Sequence, residues 1–252
     1  MSAFTYIFVH GLSGWGSYDK AYRRMPYWGM RSGDLIAYLR ENGFDAYVAS
    51  VAPTGSAWDR ACDLFEDPDF DPAAVKTPWW SGGLAKMMSM GTSPKQDGRD
   101  PEDYAGPDMH LDRAKAMNER IPTLPDVYYF SVPCSFTERN PDGTWRPGKG
   151  MAPLFVMWSC QIGAYAGRTA GGMMVDETWR ENDGLVNTVS ASAPSGAPYQ
   201  PLDKDRVEPG IWNVFPKVEG DHMWPQGGLL RRHDVRLFYL ELLTMISQLK
   251  TP

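Results

Sequence analysis

The sequence predicts an α/β fold: a mostly parallel sheet flanked by helices, with long loops rich in Trp, Pro and Gly. Three observations carry this expectation. Over the first sixty residues, short β-rich apolar runs alternate with stretches of helical periodicity, the pattern that joins parallel strands by crossovers. The chain closes on a long amphipathic stretch suited to packing on a sheet. Between them, an acidic turn is followed, after a further apolar run, by a loop bearing a histidine. That is the order in which an orienting acid and a base follow a nucleophile in one large class of α/β enzymes.

Taken in order, Phe4 to Val9 (FTYIFV) reads as a first strand and runs into the glycine-rich HGLSGWG. Glycines there let the backbone approach a substrate closely, and the amide of Leu12 is the candidate oxyanion donor. The plainer alternative is an ordinary strand-to-helix turn with His10 as a satisfied core histidine. Met30 to Asn42 reads as a helix with Leu35, Ile36 and Leu39 on one face and Asn42-Gly43 as its stop. Asp45 to Val51 is a second strand, of the kind buried on both faces. Ser56 is placed to cap a short helix, AWDRACDLF, ending near Glu66.

Further along, Asp108 to Glu119 is helical and Val127 to Val132 a strand. Thr137 to Gly150 is a polar loop, and Met151 to Ala164 an apolar loop or short helix near the site; its Ser159 has no flanking glycines. Ala191 to Pro209 is a surface linker. Ile211 to Val218 supplies the strand before His222. In the last helix, Asp234 to Leu249, the residues Val235, Phe238, Leu242, Met245 and Leu249 form the stripe expected to face the sheet.

With 252 residues the chain fits one hydrophobic core, so a single domain over 1–252 is expected. A net charge of −6 argues against a nucleic-acid footprint. No stretch approaches the ~20 apolar residues of a membrane-spanning helix. The opening residues have no basic run ahead of an apolar one, so no signal peptide is expected in them. Three scattered cysteines do not make a disulfide framework or a finger-like metal site. Ten Trp, fourteen Met and twenty-one Pro point to large apolar loops.

The chemistry concentrates in WRENDGLVNT (Trp179 to Thr188) and EGDHMWPQGG (Glu219 to Gly228). Asp183 sits in a turn, and His222 follows an apolar run. In acyl transfer a histidine takes the nucleophile's proton while an acid fixes its tautomer and stabilises the imidazolium. The plainer reading is that Asp183 caps its own turn and His222 bonds locally.

Several blocks together resemble the bacterial family I.5 thermoalkalophilic lipases and the related staphylococcal lipases: FVHGLSGWG, PYWG, SAWDRAC, HLDRAKAMNERI, VYYFSV, WRENDGLVNT, GIWNVF, EGDH and DVRLFYLELL. They are collinear over almost the whole chain. The resemblance implies an α/β-hydrolase acting on lipid esters, with His222 as base and Asp183 as its acid; Asp221, next to the histidine, matches no acid role in that family. It also implies a zinc site, for which Asp59 matches one ligand and Asp108 another. The stretch that supplies the two histidine ligands is missing, with only His110 near by, so a helical salt bridge is the better reading of Asp59. The family's calcium ligand two residues after the histidine is here Trp224. Neither zinc nor calcium has a complete ligand set. Relatives are mostly secreted.

Between the AWDRAC helix and the later blocks, the family carries a strand, the serine elbow, its helix and a further strand. Here residues 66–107 form a shortened, irregular region rich in Pro and charge, and no G-x-S-x-G occurs anywhere. Ser81 (WWSGG) and Ser89 (MMSMG) keep a glycine two positions on. Ser81 is the better candidate nucleophile because LAKMMSM can follow it as a helix, although Pro78 interrupts a preceding strand and a surface-loop serine is the plainer reading. The expectation is therefore a reduced α/β-hydrolase in which Phe4–Val9 pairs directly with Val127–Val132. Two functions follow from it. One is a serine carboxylic ester hydrolase on triacylglycerol or related lipid esters. The other is a non-catalytic, internally deleted lipase-like protein that binds a lipid or partner. A third origin, a misassembled product of a longer lipase gene, predicts exposed apolar sheet edges and marginal stability.

Overall fold

The computed structural model describes residues 4–11, 14–17, 19–51, 55–57, 60–61, 108–229 and 233–250. The chain divides into two compact units, residues 1–113 with 235–243, and residues 114–234 with 244–252. Both carry parallel strands and helices, so the α/β expectation holds at that level.

In the first unit, β1 (Thr5–Val9) pairs in parallel with β2 (Asp45–Ala49), Thr5 opposite Asp45 and Val9 opposite Ala49. The strands alternate: Tyr6, Phe8, Ala46 and Val48 are buried, whereas Ile7 and Tyr47 are 54% and 48% exposed. Among the described residues the second strand is therefore covered on one face, where the helix of residues 35–41 packs on it. The predicted helix at 30–42 is split. A single 3₁₀ turn, Met30–Ser32, is followed by α1 (Leu35–Glu41), and Gly33 at φ 110° lies between them. Asp34 caps α1, its carboxylate accepting from the Ile36 and Ala37 amides. Leu35, Ile36 and Leu39 are all but fully buried, as their spacing predicts.

The final helix, which runs Arg236–Ser247, buries Val235, Tyr239 and Leu243. The stripe thus lies one position off the expected one, and Phe238 and Leu242 flank it half-buried. Tyr239 packs edge-on against Phe8 and Trp28, at 5.6 and 6.0 Å between centroids. An aromatic ring can fill that core as well as an aliphatic chain, which is why the apolar pattern alone chose the neighbouring stripe.

In the second unit, β3 (Tyr129–Ser131) and β9 (Tyr199–Pro201) both pair in parallel with β10 (Trp212–Val214). A second parallel pair, β4 (Cys134–Ser135) and β11 (Val218–Glu219), continues in the same two chain segments. Pro133 and Pro216 separate the two pairs; having no N–H, proline cannot continue a ladder. The expected pairing of Phe4–Val9 with Val127–Val132 is overturned: β1 pairs with β2 and β3 with β10, and no ladder joins β1 to β3 among the described residues.

Thr137–Gly150 and the 191–209 linker, read as irregular, carry strands, and Met151–Ala164, read as loop or short helix, is a helix. Thr137–Gly150 holds an antiparallel hairpin, β5 (Thr137–Arg139) with β6 (Trp145–Pro147), turned by Asn140-Pro141-Asp142-Gly143. Asp142 accepts from the Thr144 amide and hydroxyl, a local turn signal outweighed in the sequence by the Pro and Gly content. Residues 151–164 contain a three-turn helix, α2 (Pro153–Ala164), which starts with proline at its first position. A short antiparallel pair follows, β7 (Gly167–Arg168) with β8 (Met174–Val175), and the 191–209 linker carries strand β9.

Candidate active site

The acid and the histidine are brought together by the β4–β11 pair. The Phe136 amide, one residue past β4, donates to the Asn182 carbonyl at 2.9 Å and so pins the acidic turn to the strand end. His222 follows β11 by three residues. Both side chains thus lie beyond the carboxyl ends of parallel strands, where sites form in α/β sheets.

Asp183 is 6% exposed. Its Oδ1 accepts from the Leu185 amide at 2.9 Å and the Val186 amide at 2.7 Å, and its Oδ2 lies 2.9 Å from His222 Nδ1. The His222 amide also donates to the Asp183 carbonyl at 2.9 Å. Asp183 therefore caps its own turn and meets the histidine at once, so the two readings of this residue are compatible.

A carboxylate can only accept, so Nδ1 carries a proton, and in the neutral ring Nε2 keeps its lone pair. The His222 side chain retains 36% of its exposure, and its ring meets Phe155 of α2 edge-on at 5.8 Å. Burial works against the charged ring, but the Asp183 hydrogen bond, the Asp183 charge and the Asp221 charge outweigh it, so the pKa is raised.

Beneath the pair, Phe136, Met151, Ala152 and Phe155 form a core joined by Leu154, Leu185, Met223 and Leu229. Gly184, at φ 104°, fits there because a Cβ would stand 2.6 Å from that of Phe155. Asn182, fully buried, was not singled out from the sequence. Its Nδ2 donates to the Arg180 and Ser159 carbonyls, and its Oδ1 accepts from the Gly184 amide at 2.9 Å. The signal was available in Asn-Asp-Gly, a run of turn formers in which only the aspartate carries obvious chemistry.

Asp221 is a strut and not an acid facing the ring. Its Oδ2 accepts from the Ala152 amide at 3.0 Å, at the start of α2, and its Oδ1 from the Met223 amide at 3.1 Å. Ser159 is fully buried on α2, and its Oγ has no hydrogen-bond partner among the described residues. A cleft of about 320 Å³ is lined by Phe136, Glu219, Gly220, Asp221, Trp224, Gly228 and His233.

In the first unit, His10 is the satisfied core histidine of the plainer reading. It is 1% exposed, with Nδ1 2.9 Å from the Gly11 carbonyl and Nε2 accepting from the Val51 amide at 3.4 Å. Leu12, Asp59, Ser81 and Ser89 lie outside the described residues. Asp108 accepts from the Ala57 amide at 2.7 Å and stands 4.0 Å from Arg113, and His110 is exposed. Among the described residues no group of three or more His, Cys, Asp or Glu could hold a metal ion. Among the described residues Asp108 alone stands where the resemblance implies a zinc ligand, and one carboxylate is too few for a zinc centre. No described helix is long and apolar enough to cross a membrane.

A family model described as lipase-like, C-terminal domain matches residues 3–67. Lipase 2 of Staphylococcus aureus is 30% identical over 125 residues, which is 48% of this chain and 17% of that protein. The chain thus spans well under a fifth of that relative's length. Two solved structures share the fold: EstA from Clostridium botulinum, with a TM-score of 0.79 at 18% identity, covering 100% of this chain and 89% of that one; and the Staphylococcus hyicus lipase, with a TM-score of 0.71 at 17% identity, covering 96% and 94%.

Proposed function

We propose that this chain belongs to the staphylococcal-type lipase family and is a reduced α/β-hydrolase that cleaves carboxylic esters of lipids by a Ser–Asp–His mechanism. The observation that carries the reading is the 2.9 Å contact between His222 Nδ1 and Asp183 Oδ2, with both Asp183 oxygens occupied. Held in that tautomer, His222 Nε2 takes the proton of an attacking hydroxyl and returns it to the departing alkoxide; water then repeats the cycle on the acyl-enzyme. Asp183 stays ionised and stabilises the imidazolium formed in between. Ser81 is the nucleophile in this proposal and the Leu12 amide its oxyanion donor.

The absence of a G-x-S-x-G sequence favours a second reading, a non-catalytic lipase-like protein that binds a lipid or partner. Labelling with a serine-directed fluorophosphonate, followed by peptide mapping, separates the two. The hydrolase reading expects a label at Ser81 that is lost in Ser81→Ala and in His222→Ala. A label elsewhere discards Ser81 and keeps the hydrolase. No label on folded protein leaves the binding protein.

A further inference from the structure

The cleft lined by Asp221 has an aromatic wall made by Trp224 and His233. Trp224 and His233 stack with ring centroids 4.9 Å apart and planes 18° from parallel. His233 Nε2 lies 2.8 Å from the Trp224 carbonyl, and since a carbonyl only accepts, that nitrogen carries the proton. The His233 amide donates to the Gly227 carbonyl at 3.2 Å. The two residues are thus joined by a ring contact, by a side-chain hydrogen bond and through the neighbouring backbone.

Trp224 belongs to the turn that carries the histidine. Residues 220–228 contain only one regular piece, the 3₁₀ turn Trp224–Gln226. On its entry side Asp221 fixes the chain to Ala152 and Met223. On its exit side Gly227 and Gly228 donate to the Trp224 and Met223 carbonyls at 2.9 and 2.8 Å. Trp224 lies between these two sides. Its indole sits against Gly220, where a Cβ would come within 2.5 Å of Cδ1, so residue 220 has to be glycine for the ring to lie there.

We infer that Trp224 and His233 are positioning residues that clamp the turn bearing His222 and so set the His222–Asp183 hydrogen bond. A base is useful only when its ring is held to within about half an ångström and 10–20° of the working geometry. His222 is held to Asp183 by a side-chain and a backbone hydrogen bond, and its ring meets Phe155 edge-on. The stack restrains the turn two residues further on. The catalytic consequence rests on the reading of His222 as the base; the clamp does not.

The test follows the His222 Nδ1–H proton resonance and its titration by NMR in the whole chain. Wild type is compared with Trp224→Leu, His233→Ala, Trp224→Phe and His233→Gln. In His233→Ala and Trp224→Leu the His222 midpoint is expected to fall by about 1 pH unit, the scale on which a carboxylate contact moves a neighbouring group, with the downfield resonance broadened. Trp224→Phe keeps a stacking ring and the carbonyl, and should restore both signals. Folded variants with an unmoved resonance and midpoint overturn the clamp, whatever happens to their melting temperature. Should Trp224→Leu or His233→Ala fail to fold, His233→Gln decides: it removes the ring and keeps an N–H, so an unmoved His222 there overturns the clamp as well. Fluorophosphonate labelling of wild type keeps the two questions apart. No label with a resonance that moves in the variants sinks the hydrolase and supports the clamp, and a label with an unmoved resonance does the reverse.

Discussion

Asp183 divides its carboxylate between two tasks, one oxygen held by the amides of Leu185 and Val186 and the other facing Nδ1 of His222 at 2.9 Å. Asp183→Asn separates them. The amide oxygen still accepts from the two backbone N–H groups, so the turn survives. Its NH₂ then faces a ring nitrogen that must become an acceptor, which inverts the tautomer and puts the proton on Nε2. If the chain is the proposed hydrolase, cleavage of a short chromogenic ester drops by about 10⁴-fold, the loss seen when such an acid is amidated in a serine hydrolase, while the thermal midpoint moves little. A loss of less than about tenfold would remove Asp183 from the mechanism.

The pH dependence follows from the raised pKa of His222. Only the neutral ring can take a proton, so under the proposed hydrolase mechanism kcat/KM climbs with pH along an acid limb centred above the ordinary 6.5. Stability runs the other way. The folded protein holds the His222 proton more tightly than the unfolded chain does, so this contribution is full below 6.5 and is lost as pH rises through the folded value. His10 opposes it: burial lowers its pKa, so its contribution is present above 6.5 and lost as pH falls through its folded value. Denaturant titrations at about pH 5.5 and about pH 9, wild type minus His222→Gln, cancel the His10 part. A difference that grows toward high pH would contradict the direction assigned to His222.

The pair was legible in the sequence because the order of an acid turn and a histidine loop survives without knowledge of the strands between them. The strand pairing was not. Periodicity gives β1 its buried Tyr6 and Phe8, yet nothing local to the chain chooses β2 over β3 as its neighbour. The hairpin at Thr137–Pro147 was hidden by its own turn residues, which read as loop until they are seen to close two short strands. The clamp at Trp224 and His233 was out of reach for a different reason. A stack between two residues nine positions apart depends on the path of the turn, and residue type does not encode it.

Gly184 supplies a stringent test of the turn. At φ 104° a side chain is strained, and an added Cβ would collide with that of Phe155 and press on the Met151 sulfur. Gly184→Ala combines a backbone penalty with a clash in a packed core, so a loss of about 2–3 kcal/mol is expected from urea denaturation. The His222–Asp183 signature should weaken with it, because the displaced residue is next to the acid. An unchanged urea midpoint would overturn this account of the turn.

Ser159 is the reverse case. Its hydroxyl is fully buried without a partner among the described residues, so it bears a desolvation cost that no hydrogen bond offsets. Ser159→Ala removes the oxygen and leaves the helix with a better helix former. The variant should be as stable as wild type or up to about 1 kcal/mol more so. A clear loss of stability would show that the hydroxyl has a partner, and unchanged ester hydrolysis would separate Ser159 from the nucleophile.

The two described cysteines should differ in reactivity for reasons that can be ranked. Cys134 is buried at the start of β4, and its thiol is pushed up to about 12, first by burial and then by the charges of Asp183 and Asp221. Cys160 is exposed on α2. Alkylation of native protein with iodoacetamide at about pH 8, read on these two peptides, should modify Cys160 and leave Cys134 as a thiol until denaturant is added. Because burial is the larger cause, Asp183→Asn should not release Cys134, even though it removes one of the charges. If Cys134 in that variant reacts as fast as Cys160, the acidic turn is what covers the strand end, and Asp183 holds it closed.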